Sequence, residues 1–231
     1  MTQPYRSLAA VGCLLGTFGL ALQLWFSIQM TEAKGGDALA GVWLYLGFFT
    51  ILTNMLVAKV LGSAAIGPRN AITRFWLRPG VQTAAAMSIA IVSLIYNFML
   101  RQLWQPSGWL LAADVIVHDI MPPLYLLYWW LAVPKRDLRW SQVLVWQSFP
   151  AAYFAYVLLR GAANGWYPYP FLDARTLGYG QVLVDAVLVL LAFIAVALAL
   201  VALGRWQARR DESTARIPPV QAVRRSSSIE P

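Results

Sequence analysis

The chain has few charged side chains, one cysteine and one histidine. Charged residues make up 12% and apolar residues 59% of its 231 residues, whereas about a quarter of a soluble domain is charged. This composition excludes an ordinary soluble domain and predicts an integral membrane protein. The single cysteine, Cys13, excludes an intramolecular disulfide framework and a cysteine metal cluster. Because His118 is the only histidine, bis-histidine haem ligation is also excluded, and we expect neither a metal nor a cofactor.

Long apolar runs, which soluble chains lack, occur six times. Each run is long enough to cross about 30 Å of hydrocarbon. We place them near residues 8–30, 40–61, 81–103, 108–133, 142–162 and 178–206. The connections are mostly short, so sequential helices are expected to pack as antiparallel neighbours. The predicted fold is an all-α, polytopic bundle of six transmembrane helices, with the membrane domain covering residues 1–206.

Positive charge is distributed unevenly between the two sides of this predicted bundle. The net charge of +8 lies in short loops and the C-terminal region rather than on one amphipathic face, so we do not expect a nucleic-acid partner. One side receives thirteen Lys and Arg residues, and the other receives Lys34, Arg101, Arg160 and Arg175. The positive-inside rule therefore predicts a cell (inner) membrane protein with both termini in the cytoplasm. Residues 207–231, rich in Arg, Ser and Pro, are predicted to form a disordered basic cytoplasmic tail.

The fourth predicted span carries ionisable side chains at a depth where they are costly. Asp114, His118 and Asp119 lie in this apolar stretch and are followed by Pro122 and Pro123. Asp114 and His118 share one helix face, while Asp119 lies about 100° round the axis. The prolines would free the carbonyls of His118 and Asp119, which then need a partner from a neighbouring helix, water or a ligand. Intramembrane ionisable groups normally face a bundle interior or a wet cavity, so we expect the functional site here.

Polar residues of the other spans are expected at a similar depth. Thr50 and His118 each lie ten residues from the outer end of their predicted spans, which is about 15 Å down. Other polar residues in the outer halves of the spans are Asn54, Asn97, Asp114, Asp119 and Asp185. Arg101 and Arg160 close the outer ends of the third and fifth spans. These positions predict a one-sided polar pocket that opens toward the outer leaflet.

Three segments resemble a bacterial six-span membrane family. Residues 48–54 (FFTILTN) resemble its FFT-x-x-(T/S)-N signature, and residues 118–125 (HDIMPPLY) resemble its histidine helix. Residues 167–173 (YPYPFLD) resemble its fifth loop, so the resemblance covers most of the chain outside the tail. That family is similar to the eukaryotic androgen-induced and androgen-dependent TFPI-regulating membrane proteins. Those are threonine hydrolases that cleave fatty acid esters of hydroxy fatty acids with one intramembrane Thr and one intramembrane His.

The resemblance implies an intramembrane lipid-ester hydrolase. His118 would take the proton of the Thr50 hydroxyl, which then attacks an ester carbonyl, and Thr53 is the alternative nucleophile. Asp114 or Asp185 is expected to orient the imidazole, and Asn54 or Asn97 to donate to the oxyanion. Arg101 and Arg160 are the residues expected to bind a carboxylate near the outer surface. The expected partners are membrane lipids or a lipid-like ester, and the oligomeric state stays open.

The alternative is a small proton-coupled transporter or a lipid-binding membrane protein without catalysis. In a transporter, Asp114, Asp119 and Asp185 would relay protons; in a purely structural role they would pair with arginines and hold helices together. A membrane threonine also commonly bonds the carbonyl of its own preceding turn, which would leave Thr50 or Thr53 without a chemical role. A retinal protein is not supported, because the last span has no central lysine.

Overall fold

The computed structural model describes residues 3–215 and contains no strand in that range. Six of its helical segments are long and apolar enough to cross a membrane. They are Gln3–Glu32, Phe49–Ile66, Pro79–Leu103, Gly108–Ala132, Gln142–Asn164 and Ala174–Asp211. This is the architecture of a multi-pass membrane protein, and it confirms the all-α, six-helix part of the prediction.

The helices are numbered here in chain order. They are α1 (Gln3–Glu32), α2 (Ala38–Tyr45), α3 (Phe49–Ile66), α4 (Ala71–Trp76), α5 (Pro79–Ile95), α6 (Gly108–Val115), α7 (Met121–Ala132), α8 (Gln142–Trp146), α9 (Ser148–Asn164) and α10 (Ala174–Ala215). Two π-helical segments, Tyr96–Leu100 and Ile116–Ile120, continue α5 and α6. Short 3-10 turns lie at Arg101–Leu103 and Pro170–Leu172. The third and fourth spans are therefore helical but irregular in the same part of the bundle.

The second predicted span, residues 40–61, is divided into two helices. α2 ends at Tyr45 and α3 begins at Phe49. Gly47 lies in this break, where a Cβ atom would come within 2.5 Å of Arg160 Nη1 and 2.6 Å of the Trp166 ring. The close approach of these two side chains requires a glycine at this position. As a consequence Thr50 is the second residue of α3 and not, as predicted, a residue deep within one continuous helix.

The last spanning helix is longer than predicted. α10 continues to Ala215, so residues 207–215 are helical and do not belong to a disordered tail. Near its beginning the helix is kinked at Gly178, whose φ of 73° lies in the left-handed region. The rest of the predicted tail, residues 216–231, lies outside the described residues.

Small residues on α1 allow the fourth span to approach closely. A Cβ atom at Gly12 would lie 2.6 Å from Leu124, and one at Gly16 would lie 2.8 Å from Met121. At Gly19 the same atom would lie 2.5 Å from Ile116, at the start of the second π-helical segment. Glycines on one helix face permit such a close approach between membrane helices. This contact fixes the position of the span that carries His118.

Buried hydrogen bonds join α5 to α7 on the other side of the core. The Tyr125 hydroxyl donates to the Gln82 carbonyl (3.0 Å), and the Tyr128 hydroxyl donates to the Gln82 side chain (2.8 Å). The Trp129 indole donates to the Thr83 hydroxyl at 2.9 Å. Each of these buried polar groups between α5 and α7 thus has a partner, as burial in a low-dielectric interior requires. These bonds set the register of the third span against the fourth, and with it the relative positions of Tyr96 and His118.

Candidate functional site

The hydroxyl of Thr50 and the imidazole of His118 are hydrogen-bonded to each other. His118 Nε2 lies 3.2 Å from Thr50 Oγ1, although the two residues belong to different spans. Because the chain is non-helical just before α3, Thr50 lacks a regular preceding turn whose carbonyl its hydroxyl would otherwise bond. The imidazole is instead the hydrogen-bond partner of the Thr50 hydroxyl.

The second imidazole nitrogen faces Asp114. His118 Nδ1 lies 3.0 Å from the Asp114 carbonyl oxygen and 3.2 Å from Asp114 Oδ1. Both neighbours are acceptors, so this network assigns the proton to Nδ1 and leaves a lone pair on Nε2. The lone pair then faces the Thr50 hydroxyl. Of the two aspartates expected to orient the ring, Asp114 lies beside it, one helical turn away, and Asp185 bonds Gln181 instead.

Tyr96 completes the surroundings of this pair. Its ring stacks on the imidazole of His118, with 3.7 Å between centroids and 9° between planes. Its hydroxyl donates a hydrogen bond to Asp114 Oδ2, and the Trp104 side chain bonds the same carboxyl group. Asp114 is 3% exposed. The carboxyl group therefore has partners on both oxygens, and the imidazole is held by a ring face as well as by hydrogen bonds.

A tyrosine from the connection between the fifth and sixth spans reaches the beginning of α3. The Phe49 N–H donates to the Tyr169 hydroxyl at 3.0 Å, and this hydroxyl also bonds the backbone and side chain of Thr50. No other side chain caps this helix end. The first N–H groups of a helix lack intrahelical partners and carry partial positive charge. The Thr50 hydroxyl thus lies beside the Tyr169 hydroxyl, whose oxygen accepts from the N–H at the beginning of α3.

The same connection is fixed at its far end by an ion pair. Asp173 Oδ1 accepts from the Arg175 backbone N–H (3.0 Å), and Arg175 Nη2 lies 3.0 Å from Asp173 Oδ2. The hydrogen bond to the Arg175 guanidinium holds the pKa of Asp173 below its usual value. The YPYPFLD motif is therefore a turn that ends in a helix cap and delivers Tyr169 to α3.

Thr53 and Asn54 have different surroundings from Thr50. Thr53 is fully buried, and its Oγ1 has no hydrogen-bond partner among the described residues. Asn54 Nδ2 donates to the carbonyls of Thr50 (2.9 Å) and Val117 (3.2 Å). The amide of Asn54 therefore ties α3 to the second π-helical segment. It is committed to two carbonyls and is not free to donate to an oxyanion.

Asn97, Arg101 and Asp119 form a separate, more exposed cluster. Arg101 pairs with Asp119, and its Nε donates to Asn97 Oδ1 at 2.9 Å. Asn97 Nδ2 donates to Asp119 Oδ1 at 3.2 Å. The Arg101 guanidinium also lies over the Tyr96 ring, 5.0 Å from its centroid. Arg101 is thus already paired with a carboxylate, and this cluster braces the two π-helical segments next to the Thr50–His118 pair.

Asp185 lies apart from both groups. It is on α10, where its Oδ1 accepts a hydrogen bond from Gln181 at 2.9 Å. Asp185 lines neither of the two cavities described below. Of the three aspartates expected in one polar pocket, Asp114 contacts His118, Asp119 pairs with Arg101, and Asp185 is remote from both.

A large chamber adjoins the Thr50–His118 pair; it is called the polar chamber here because charged side chains stand among its mostly apolar lining residues. Its volume is about 790 Å³, and the residues that line it include Thr50, Asp114, His118, Lys34 and Arg160. Arg160 is 5% exposed and lies between aromatic rings, with its Cζ 4.5 Å from the centroid of Trp43 and 4.6 Å from that of Trp166. Its Nη1 donates to the Tyr156 hydroxyl (3.0 Å), and its Nε has no partner among the described residues. The chamber therefore contains a buried guanidinium with free hydrogen-bonding capacity.

A second, apolar cavity meets this chamber at Thr50. Its volume is about 260 Å³, and it lies between α5, α9 and α10. Thr50, Tyr96 and Tyr169 line both cavities. The candidate nucleophile thus stands at the junction of a polar and an apolar compartment.

The sequence pattern did not single out Tyr96, Tyr169 or Trp104. Tyr96 lies in an apolar run, where an aromatic residue is typical of the core, and Tyr169 lies in the YPYPFLD loop, whose sequence does not indicate a contact with α3. The only local signal is the coincidence of Tyr96 with Asn97 and Arg101 near one span end. None of these tyrosines is recognisable from its spacing to His118, because the contacts cross spans.

The described residues contain no group of three or more His, Cys, Asp or Glu that could hold a metal ion. Comparisons with protein-family models, curated proteins and solved structures found no match to this chain. Its function is therefore argued from the geometry of the site.

Proposed function

We propose that this chain is an integral membrane hydrolase of lipid esters, with Thr50 as nucleophile and His118 as general base. The observation that carries the proposal is the 3.2 Å hydrogen bond between Thr50 Oγ1 and His118 Nε2 at the junction of the two cavities. A threonine hydroxyl is a weak nucleophile unless a base lies within hydrogen-bond reach. Asp114 on the opposite ring nitrogen supplies the third member of the Ser-His-Asp type of arrangement.

The reaction proceeds in two halves. His118 Nε2 takes the Thr50 proton as Oγ1 adds to the ester carbonyl, and the resulting imidazolium is stabilised by Asp114. Collapse of the tetrahedral intermediate breaks the ester C–O bond, and Nε2 returns the proton to the departing alcohol. Water from the polar chamber then gives a proton to Nε2 and attacks the acyl-Thr50 ester. Collapse of this second tetrahedral intermediate breaks the bond between the acyl carbon and Oγ1, Nε2 returns its proton to Oγ1, and the carboxylic acid leaves.

The oxyanion is stabilised by groups other than the predicted asparagines. Asn54 is committed to backbone carbonyls, and Asn97 belongs to the cluster with Arg101 and Asp119. The Tyr169 hydroxyl and the N-terminus of α3 are next to Thr50. Donors already in place where negative charge develops are usually the largest electrostatic contribution to such catalysis. The Phe49 N–H is itself committed to the Tyr169 oxygen, which leaves the O–H of this tyrosine to donate. We assign the oxyanion role to the Tyr169 hydroxyl.

The membrane orientation of this site follows from the distribution of Lys and Arg. Both termini lie in the cytoplasm by the positive-inside rule, so the Thr50–His118 pair lies in the outer-leaflet half of a cell-membrane protein. The polar chamber then opens outward, and Arg160 in its wall binds a carboxylate of the substrate. Arg101, which pairs with Asp119, is not assigned this role.

Lipid binding without catalysis is the second candidate function. The apolar cavity favours it, because such a cavity binds a hydrocarbon chain whether or not Thr50 reacts. A proton relay has less support, since the three aspartates lie in three different surroundings.

Hydrolysis of chromogenic fatty acid esters by the purified full chain tests the proposal. Thr50→Ala should lower kcat by at least about 10³-fold, as removal of a nucleophile does in serine hydrolases, and Thr50→Ser should retain measurable turnover. Thr53→Ala is the matched control, because it removes a buried hydroxyl three residues away that has no partner. Equal activity of Thr50→Ala and the unaltered chain would end the hydrolase proposal and leave the lipid-binding candidate.

A further inference from the structure

The apolar cavity has a single polar end. Twenty residues line it, and those with hydroxyl groups are Thr50, Tyr96, Tyr153 and Tyr169. Each tyrosine hydroxyl is committed to a partner: Tyr96 to Asp114, Tyr153 to the Gly47 carbonyl (2.9 Å) and Tyr169 to the Phe49 N–H (3.0 Å). The remaining lining is aliphatic or aromatic. A ligand in this cavity therefore meets reactive chemistry at Thr50 and hydrocarbon elsewhere.

The cavity has a length that suits one lipid chain. Along α10 its lining runs from Leu183 to Phe193, ten residues that rise about 15 Å. Half of a hydrocarbon core of about 30 Å is also about 15 Å, which is the depth that one acyl chain occupies in its leaflet. Water finds too few hydrogen-bond partners in such a space, and apolar cavities therefore stay dry.

One side of the cavity is closed and another is open to the surface of the bundle. Phe193 and Ile91 are 3% and 1% exposed and close the inner side of the cavity, where the Phe193 ring packs on that of Phe49, 5.6 Å between centroids. Leu183 and Val187 line the cavity and are each 54% exposed. In a membrane protein this exposed apolar surface faces lipid chains. The cavity therefore communicates with the bilayer beside α10.

We infer that this cavity holds one unbranched acyl chain of the ester substrate and that the chain reaches it from the bilayer beside α10. The inference rests on the proposed function in placing the ester carbonyl at Thr50. The alcohol part of the substrate then lies in the polar chamber beside Arg160, and the acyl part remains in the apolar cavity until water releases it. The two products thus leave through different compartments.

Photolabelling of the full-length Thr50→Ala chain in detergent or nanodiscs tests the inference without turnover. The probes are fatty acids with a diazirine on the terminal carbon, and labelled residues are identified by mass spectrometry. We expect labels on the α5 and α10 residues that line the cavity, among them Ile91 and Phe193, and at least tenfold less label on the lipid-facing residues of the same helices.

Two substitutions on α10 provide the matched comparison. Ala186 lines the cavity, so Ala186→Phe fills it, whereas Ala195 is exposed and does not line it. Ala186→Phe should reduce labelling at least tenfold, and Ala195→Phe should leave it unchanged. Equal labelling of both variants, labels spread over the lipid-facing surface, or equal labelling of the cavity by a sterol diazirine would overturn the inference.

The outcomes separate this inference from the hydrolase proposal. Labels confined to the cavity, in a chain whose unaltered form hydrolyses no ester, would uphold the acyl pocket and reject the hydrolase. Ester hydrolysis that depends on Thr50, with no label in the cavity, would uphold the hydrolase and reject the acyl pocket.

Discussion

The ring of Tyr96 lies flat against the imidazole of His118, 3.7 Å away, while its hydroxyl bonds the carboxyl group that faces the same imidazole. One side chain thus restrains both the plane of the imidazole and the position of Asp114. The ring also separates His118 from the Arg101 guanidinium, which lies 5.0 Å from the centroid of Tyr96. In the proposed mechanism Tyr96 is therefore a positioning residue, because it would act on Thr50 through His118.

Substitutions of Tyr96 separate its two contacts. Tyr96→Phe keeps the stacked ring and removes the hydrogen bond to Asp114, which should lower the free energy of unfolding by about 1–3 kcal/mol. Tyr96→Leu removes the stacking as well and should lower kcat further, with KM little changed because Tyr96 acts through His118. Thermal unfolding and steady-state kinetics measure both effects. A variant whose KM alone rises would instead place Tyr96 in substrate binding.

Asp114→Asn should change the tautomer of the His118 imidazole while keeping the size and shape of the side chain at position 114. An amide can donate to Nδ1 and so favours the wrong tautomer, a change that costs up to about 10⁴ in kcat in the serine-protease triad. Since His118 is the only histidine, ¹⁵N-histidine NMR reports its tautomer directly. Asp185→Asn is the control, because Asp185 bonds Gln181 and lies apart from the site. A larger loss for Asp185→Asn than for Asp114→Asn would favour the proton-relay alternative.

Gly47→Ala tests the packing that divides the second predicted span. The added methyl group would lie 2.5 Å from Arg160 Nη1 and 2.6 Å from the Trp166 ring, and such overpacking typically costs about 1–3 kcal/mol. We expect a lower melting temperature for Gly47→Ala and a smaller rise in its melting temperature when fatty acids are added. Gly180→Ala is the matched control, since no neighbouring atom lies within 4 Å of its Cβ position. Similar melting of both variants would contradict the tight contact at Gly47.

Cysteine labelling in intact cells tests the proposed orientation. In a Cys13→Ala background, Ala33→Cys lies between α1 and α2 and Ala71→Cys lies at the start of α4, and both positions are exposed. A membrane-impermeant maleimide should label Ala33→Cys from outside and Ala71→Cys only after the membrane is permeabilised. The reverse pattern would place the polar chamber on the cytoplasmic side.

The contacts that sequence predicted best are those within one helix. Asp114 and His118 are four residues apart, so their contact follows from helical spacing alone, and the six spans follow from the length of their apolar runs. The pairing of Thr50 with His118 crosses two spans, and it was reached through resemblance and depth rather than periodicity. Asp119 was expected in the same pocket, but helical rotation turns it toward Arg101.

Two features had no local signal. The break before α3 lies in a run of apolar and aromatic residues without proline, and it depends on Arg160 and Trp166, which are more than a hundred residues away in the chain. The π-helical turn at Tyr96–Leu100 likewise has no sequence signal. The π-helical turn before α7 does have one, because Pro122 and Pro123 follow it. Without these features, the sequence predicts one continuous second span and does not indicate that Tyr96 contacts His118.

The wide turn at Tyr96–Leu100 holds more residues than an α-helical turn, and no proline forces it. If one residue were removed there, every side chain beyond it would swing by about 100° around the axis, and Arg101 would turn away from Asp119. The span would gain a regular backbone and lose its brace over the aromatic ring. The additional residue in this turn therefore sets the rotation of the end of the span. It lets the apolar α-helix of α5 and the Arg101–Asp119 pair belong to one continuous span.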